Sequence, residues 1–299
     1  MSPLARSSSL PAALDVAGIA WARATLPGAF GETPARRAMR VALWLGVAVM
    51  IALACWRVEL SPVRLWQGMA RLGWLLGLMV PPTHGGWLGE FTWALLQTLG
   101  MAFLGTFLAM CGALPLGALG AQNVVPQRLV HFGVRRSLDG LRGIDALIWA
   151  LVFVHVVGLG PLAGVLALAM SDLGTLAKLS AEALENLDRG PAEGVRAAGG
   201  RRLVVVRFGM LPQVLPVLAS HALYFFESNT RSASILGVVG AGGIGYHLVE
   251  RIRQNSWDEV AFLILMILAT VTAIDAVSRA LRLRIIRGRA SDAPATRTG

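Results

Sequence analysis

Long stretches without a single charge recur along the chain, from Val41 to Trp56, Phe91 to Gln127, Ala146 to Ser171, Phe208 to Phe226, Ser232 to Val249 and Val260 to Ile274. A bilayer core of about 30 Å takes about 20 mostly apolar residues as a helix, so the pattern predicts membrane spans. The third window is interrupted by Gly158, Leu159, Gly160 and Pro161. Proline lacks the N–H that a helix interior requires and suits a first helical position, so this window predicts a tight hairpin of two helices, the second opening at Pro161. The fifth window carries Gly237, Gly240, Gly242, Gly243 and Gly245. Each glycine costs a helix interior roughly 1 kcal/mol, so an irregular element is expected there, buried by protein or lining an aqueous cavity. The count is six spanning helices plus one irregular element.

The intervening stretches read differently. Residues 57–89 carry Trp66, Trp74, Trp87 and a Pro81-Pro82 break, which suits a segment lying at the membrane interface rather than crossing it. Residues 120–143 read as a basic loop. The expected organisation is a mobile tail over 1–40 behind an uncleaved anchor helix, a transmembrane domain over 41–287 with one large polar loop at 179–212, and a disordered tail over 288–299.

Composition agrees with a lipid environment: 55% of the 299 residues are hydrophobic and 15% charged, against about 25% charged in soluble domains. The net charge of +10 follows from sidedness. With the N-terminus inside, 21 of the 27 Lys and Arg residues fall on the inner side, and Arg57, Arg64, Arg71, Arg231, Arg251 and Arg253 fall outside. That is the positive-inside bias of a six-helix protein with both termini cytoplasmic. The basic residues are dispersed and lack interleaved stacking aromatics, so no nucleic-acid partner is expected. Cys55 and Cys111 lie in apolar windows without ligand spacing or a disulfide framework, and read as inert small hydrophobes.

The loop at 179–212 is the informative stretch, because about thirty mostly polar residues are kept there on the inner side. Gly190 as N-cap, Pro191 at the first helical position and Glu193 at the third favour a helix start, and Gly199-Gly200 favour its end. A two-turn helix about 12 Å long is expected, lying off the main bundle. Glu193 in its first turn favours the helix dipole, which is its plain structural role. Arg201 through Phe208 then lead back into the membrane, with Leu211-Pro212 at the entry to the next span.

At these residues the chain resembles the permease subunits of binding-protein-dependent ABC importers, whose loop carries Glu-Ala-Ala, three residues, Gly, nine residues, Ile, one residue, Leu-Pro. Glu193, Gly199 and Leu211-Pro212 match, while Gly194 and Val195 replace the alanines and Gly209 the isoleucine. The run from Trp149 to Val154, the Gly158 to Ala167 turn, Arg207 to Pro216 and the glycines from 237 to 245 resemble the phosphonate/phosphite branch, over roughly residues 57 to 287. The resemblance implies an all-α membrane protein of about six transmembrane helices with a cytoplasmic coupling helix. It assigns Glu193, Gly194, Ala198, Gly199, Leu211 and Pro212 to coupling with an ABC ATPase subunit dimer. It further implies a second permease copy, an extracytoplasmic substrate-binding protein and an inner-membrane location. ATP hydrolysis is expected on a partner chain, since no phosphate cradle is present.

Gly240-Ala241-Gly242-Gly243-Ile244-Gly245 satisfies the dinucleotide-binding glycine pattern but sits between spans rather than in a βαβ unit. Close helix approach or a flexible backbone near a pathway is the better reading, so Gly240, Gly242, Gly243 and Gly245 are pathway candidates. Glu227 and Arg231 share a helix face near the expected outer end of a span and form an i,i+4 ion pair on the plain reading. On the functional reading Arg231, with Asn229 nearby, faces the pathway and attracts an anion.

His155 and His221 lack ligand partners at helical spacing, and no metal or cofactor is expected. Asp145 and Asp275 are placed near inner span ends. No triad and no paired carboxylates mark the spans, so no catalytic site is expected. The expected function is import of an oxyanion of the phosphonate, phosphite or phosphate type, or of another small solute such as methionine. A secondary transporter is the rival, for which inverted repeats and mid-span acids would be the signature; neither is read in the sequence.

Overall fold

The computed structural model describes residues 34–125 and 127–291. The expected tails lie largely outside these residues, but the first and last helices take in part of each. Helices α1 (Pro34–Arg57), α2 (Pro62–Leu78), α3 (Leu88–Gly120), α4 (Arg128–Arg142), α5 (Ala146–Val157) and α6 (Pro161–Glu185) are followed by a short α7 (Arg189–Ala197). Then come α8 (Arg202–Val205), a π-helical turn (Val206–Met210), α9 (Leu211–Leu236), a 3-10 turn (Gly237–Val239), α10 (Ile244–Arg253) and α11 (Trp257–Ser291). No strand occurs among the described residues.

The chain divides into two compact units, Met1–Gly73 and Trp74–Gly299. In the first, α1 opens on Arg36, Arg37 and Arg40 and is apolar from Val41 to Trp56, and the turn into α2 is tied by Glu59 and Arg64 at 2.6 Å. Both side chains there are about 70% exposed, so that pair contributes little. Helix α2 carries the exposed Trp66, in keeping with an interfacial segment.

In the second unit α6 is the central helix, packed by α3, α4, α5 and α9. Its contact with α3 is rich in small residues: Gly105 lies against Leu168, and Gly117 against Ala177, Ser180 and Ala181. In lipid there is no hydrophobic drive between helices, and small side chains gain association by letting backbones approach. Large apolar side chains such as Trp93, Phe103, Phe107 and Leu268 point outward instead, as a lipid-facing surface requires.

Five helical stretches are long and apolar enough to cross a membrane, and a sixth span results if α4 and α5, bent by 86°, count as one. The third window does form two helices around Gly158–Gly160, with α6 opening at Pro161 as expected. Helix α5, however, has only 12 residues, about 18 Å, and cannot cross alone.

Two further expectations are corrected. Residues 128–142 form an amphipathic helix rather than a basic loop. Its Arg135 pairs with both carboxylate oxygens of Glu185 at 3.0 and 2.9 Å, and its Asp139 meets Lys178 at 3.4 Å, which pins α4 to the end of α6. Helix α9 also runs unbroken to Leu236, through the charged stretch that separated the fourth and fifth windows.

Candidate functional site

Helix α7 stands between the end of α6 and the start of α9. Its N-cap is Asp188, whose carboxylate accepts the Gly190 N–H at 3.0 Å, and not Gly190 as the sequence pattern suggested. A carboxylate satisfies an otherwise unpaired helix N–H and favours the dipole, which glycine cannot do. The C-terminal end follows expectation. Gly199 takes φ +83°, its N–H donates to the Arg196 carbonyl at 2.9 Å, and the Gly200 N–H donates to the Val195 carbonyl at 3.0 Å. These two bonds close a Schellman motif in which the left-handed position favours glycine. Glu193, Gly194 and Ala198 are exposed along α7, and no ion pair holds Glu193 among the described residues.

The helix is seated firmly against the first turn of α9. The Asp188 N–H donates to Gln213 Oε1 at 3.2 Å, and Gln213 Nε2 donates to the Asp188 carbonyl at 3.1 Å and the Gly209 carbonyl at 2.7 Å. Gly209, which stands in place of an isoleucine in the loop pattern, lies against α7: a Cβ there would fall 2.8 Å from Ala192 Cα. Leu211 and Pro212 open α9 beside this contact and are exposed.

Farther along, α6 and α9 meet again. Asn229, buried at 3% exposure, donates from Nδ2 to a carboxylate oxygen of Asp172 on α6 and, at 2.9 Å, to Thr106 Oγ1 on α3. Asp172 corrects the expectation that no acid sits mid-span: it occupies the middle of α6, about 16 Å from Pro161 and 20 Å from Glu185 along the axis. The charge-free window ending at Ser171 set it outside the helix. At the Asp188–Gln213 end the two helices border an open groove of about 520 Å³, lined by Glu182, Asp188, Gln213, Val217 and His221 among others.

The other face of α9 turns to α11. Glu227 pairs with Arg282 and not with Arg231, and Arg231 meets Asp275 at 3.5 Å. The i,i+4 pair is therefore absent, and Arg231 and Asp275 lie at one level rather than toward opposite faces. The reason is the irregular element: after Leu236 the chain turns through the glycine run and α10 before α11 begins, so the end of α9 faces the middle of α11. Arg231 keeps a half-exposed side chain, whereas Asn229 points to α3 and α6.

The glycine run is a packing knot. The Gly160 N–H donates to the Gly240 carbonyl at 3.0 Å, Gly242 lies against Pro161, and Gly245 is buried. Gly243 has φ +70°, and a Cβ on it would fall 2.5 Å from Thr98 Oγ1, the same oxygen that accepts the Ile244 N–H at 2.8 Å. No strand precedes it, so the βαβ context of a dinucleotide site is missing. Asp145 caps α5 by accepting the Leu147 N–H at 2.8 Å, and His155 bonds the Leu151 carbonyl at 2.7 Å. No cluster of three metal-ligating side chains occurs among the described residues.

Comparison with known proteins places this geometry. The model of the family described as "Binding-protein-dependent transport system inner membrane component" matches residues 113–287. A phosphite transport system permease protein of Stutzerimonas stutzeri is 40% identical over 249 residues, covering 83% of this chain and 89% of that protein. A phosphate-import permease protein of Mycolicibacterium smegmatis is 36% identical over 229 residues, 77% of this chain and 43% of that longer protein. Among solved structures, an inward-facing methionine ABC transporter chain aligns with a TM-score of 0.58 at 21% identity, covering 68% of this chain and 99% of its own. At that identity the likeness shows the fold, which is that of ABC importer permeases.

Proposed function

Since this chain belongs to the family of binding-protein-dependent transport system inner membrane components, we propose that it is the permease subunit of an ABC importer carrying an oxyanion of the phosphite, phosphonate or phosphate type. The observation that carries the substrate class is the 40% identity to a phosphite permease across most of both chains. In this reading α7 is the coupling helix, docked on a separate ATPase subunit dimer on the cytoplasmic side. Asp188, Gln213 and the close approach at Gly209 hold it to α9, so that a push on α7 is delivered to the spans rather than absorbed by a loose loop.

Exposed Glu193 and the end at Ala198 and Gly199 face the ATPase, and Leu211 and Pro212 set the entry of α9. Both termini are cytoplasmic in accordance with the positive-inside bias. An extracytoplasmic binding protein delivers the substrate, and a second permease copy, identical or paired, completes the pathway. Half-exposed Arg231 serves as the anion-attracting group, its bridge to Asp275 competing with the substrate. The knot at Gly240, Gly242, Gly243 and Gly245 shapes the pathway wall beside it.

The test is uptake of labelled methylphosphonate by cells lacking their own system and supplied with this chain, its ATPase and its binding protein. Excess phosphite should compete and methionine should not, and Glu193→Lys should abolish uptake. Uptake that needs an ion gradient but no ATP, and ignores Glu193, would overturn the importer reading in favour of a secondary transporter.

A further inference from the structure

Helices α6 and α9 run antiparallel, and two polar contacts join them. Asp188 meets Gln213 where α7 begins, and Asp172 meets Asn229 inside the membrane. The contacts lie sixteen positions apart along both stretches of chain, about 24 Å of helical rise along α9. The base contact is bidentate and fixes backbone groups. The upper one also reaches the third helix, α3, because Asn229 donates to Thr106. No ion pair reaches Asp172 among the described residues, so the Asn229 amide is the group that satisfies this acid.

We infer that α6, α7 and α9 form one arm whose seam stays closed throughout the transport cycle, with Asp172 and Asn229 as positioning residues that hold it shut inside the membrane. The inference rests on the permease reading above and concerns what moves within it. Helix α7 is attached to the bundle through the end of α6 and the start of α9. If the seam opened, a displacement of α7 would be spent in spreading the two helices. With the seam held at both ends, the same displacement rotates the arm. Beside the base contact the two helices part to border an open groove lined by Glu182 and His221 among others, so the base contact alone does not close the seam and the upper contact holds it deeper in the bundle. Separating Asp172 from Asn229 would leave a carboxylate and an amide unpaired in a low-dielectric interior, a cost that opposes opening.

The experiment uses the assembled complex of this chain, its ATPase and its binding protein in proteoliposomes, with Cys55→Ser and Cys111→Ser. Asp172→Cys with Asn229→Cys is studied reduced and after joining by a short bifunctional thiol reagent. Uptake per ATP hydrolysed is the readout, which a purely structural loss of folded protein would leave unchanged. The reduced double variant should show a ratio lower by about tenfold, the scale of one buried hydrogen bond, and joining should restore it. Joining that abolishes uptake, with recovery on reduction, would show that the seam opens as a gate and would overturn the inference. In a separate pair, Asp172→Asn keeps an acceptor for Asn229 and should keep the ratio, whereas Asp172→Leu should lower it. Equal ratios in that pair would likewise overturn it. Absence of ATP-driven uptake by the unaltered complex would instead count against the permease reading.

Discussion

The Arg251 guanidinium, on α10, meets the Glu259 carboxylate of α11 at 3.0 Å, with side chains only 10% and 13% exposed. Its carbon also lies 5.1 Å from the centre of the Trp87 ring and 5.6 Å from that of Phe91. One side chain thus ties α10 to α11 and to the start of α3, at the end of the bundle opposite α7.

Because both charges are withdrawn from solvent, removing one strands the other. Arg251→Met should destabilise the detergent-solubilised protein by about 3–5 kcal/mol, whereas Arg251→Met with Glu259→Leu should lose markedly less. Thermal unfolding of the three proteins checks this; equal losses in the single and double variants would contradict it.

The two ion pairs between α9 and α11 should behave differently. Glu227 is 15% exposed and Arg282 26%, while Arg231 is 48% exposed. Arg282→Gln should therefore cost clearly more stability than Arg231→Gln, which is expected to stay within about 1 kcal/mol. Arg231→Gln should act on transport instead, raising the substrate concentration needed for half-maximal uptake. Unfolding midpoints and uptake titrations separate the two effects.

At the start of α7, Asp188→Ala removes the cap and should cost about 1 kcal/mol locally, while Asp188→Asn keeps an acceptor for the Gly190 N–H. Hydrogen exchange at Gly190, Ala192 and Glu193 should speed up in the alanine variant and change little in the asparagine variant. Gln213→Ala should accelerate exchange at Asp188 itself, since its N–H then has no Oε1 to donate to.

The glycine knot gives a sharper expectation. Gly243→Ala places a methyl group against Thr98 and Met101 at φ +70°, a backbone region that costs an ordinary residue roughly 1–2 kcal/mol before any clash. Gly86, also at positive φ but with open space around it, is the control. Gly86→Ala should lose only the backbone part, and a melting temperature equal in the two variants would contradict the packing argument.

Charge-free length was enough to identify the class of protein, because a bilayer tolerates few other sequences, and Pro161 and Gly199 marked boundaries through their own backbone preferences. Local readings failed where a better local acceptor or a longer-range partner decided. Asp188 took the cap from Gly190 because a carboxylate outcompetes glycine there. Asp172 was set outside its helix because a window scored on charge stops at the first acid, although Asn229, 57 positions away, satisfies it. Residues 128–142 read as a loop because their partner, Glu185, lies on another helix.

What the sequence by itself determined, then, was the membrane class, the helical makeup, the hairpin at Pro161 and the position of the short helix near Glu193. Each follows from hydropathy or from the φ preferences of single residues. What only the tertiary structure decided was which polar side chains meet: Asp172 with Asn229, Glu227 with Arg282, Arg231 with Asp275, Arg251 with Glu259. Inside a low-dielectric bundle a polar group must find a partner, but helical spacing supplies one only within a helix. The partners here sit on neighbouring helices, and their choice depended on how far α9 runs before the glycine knot turns the chain.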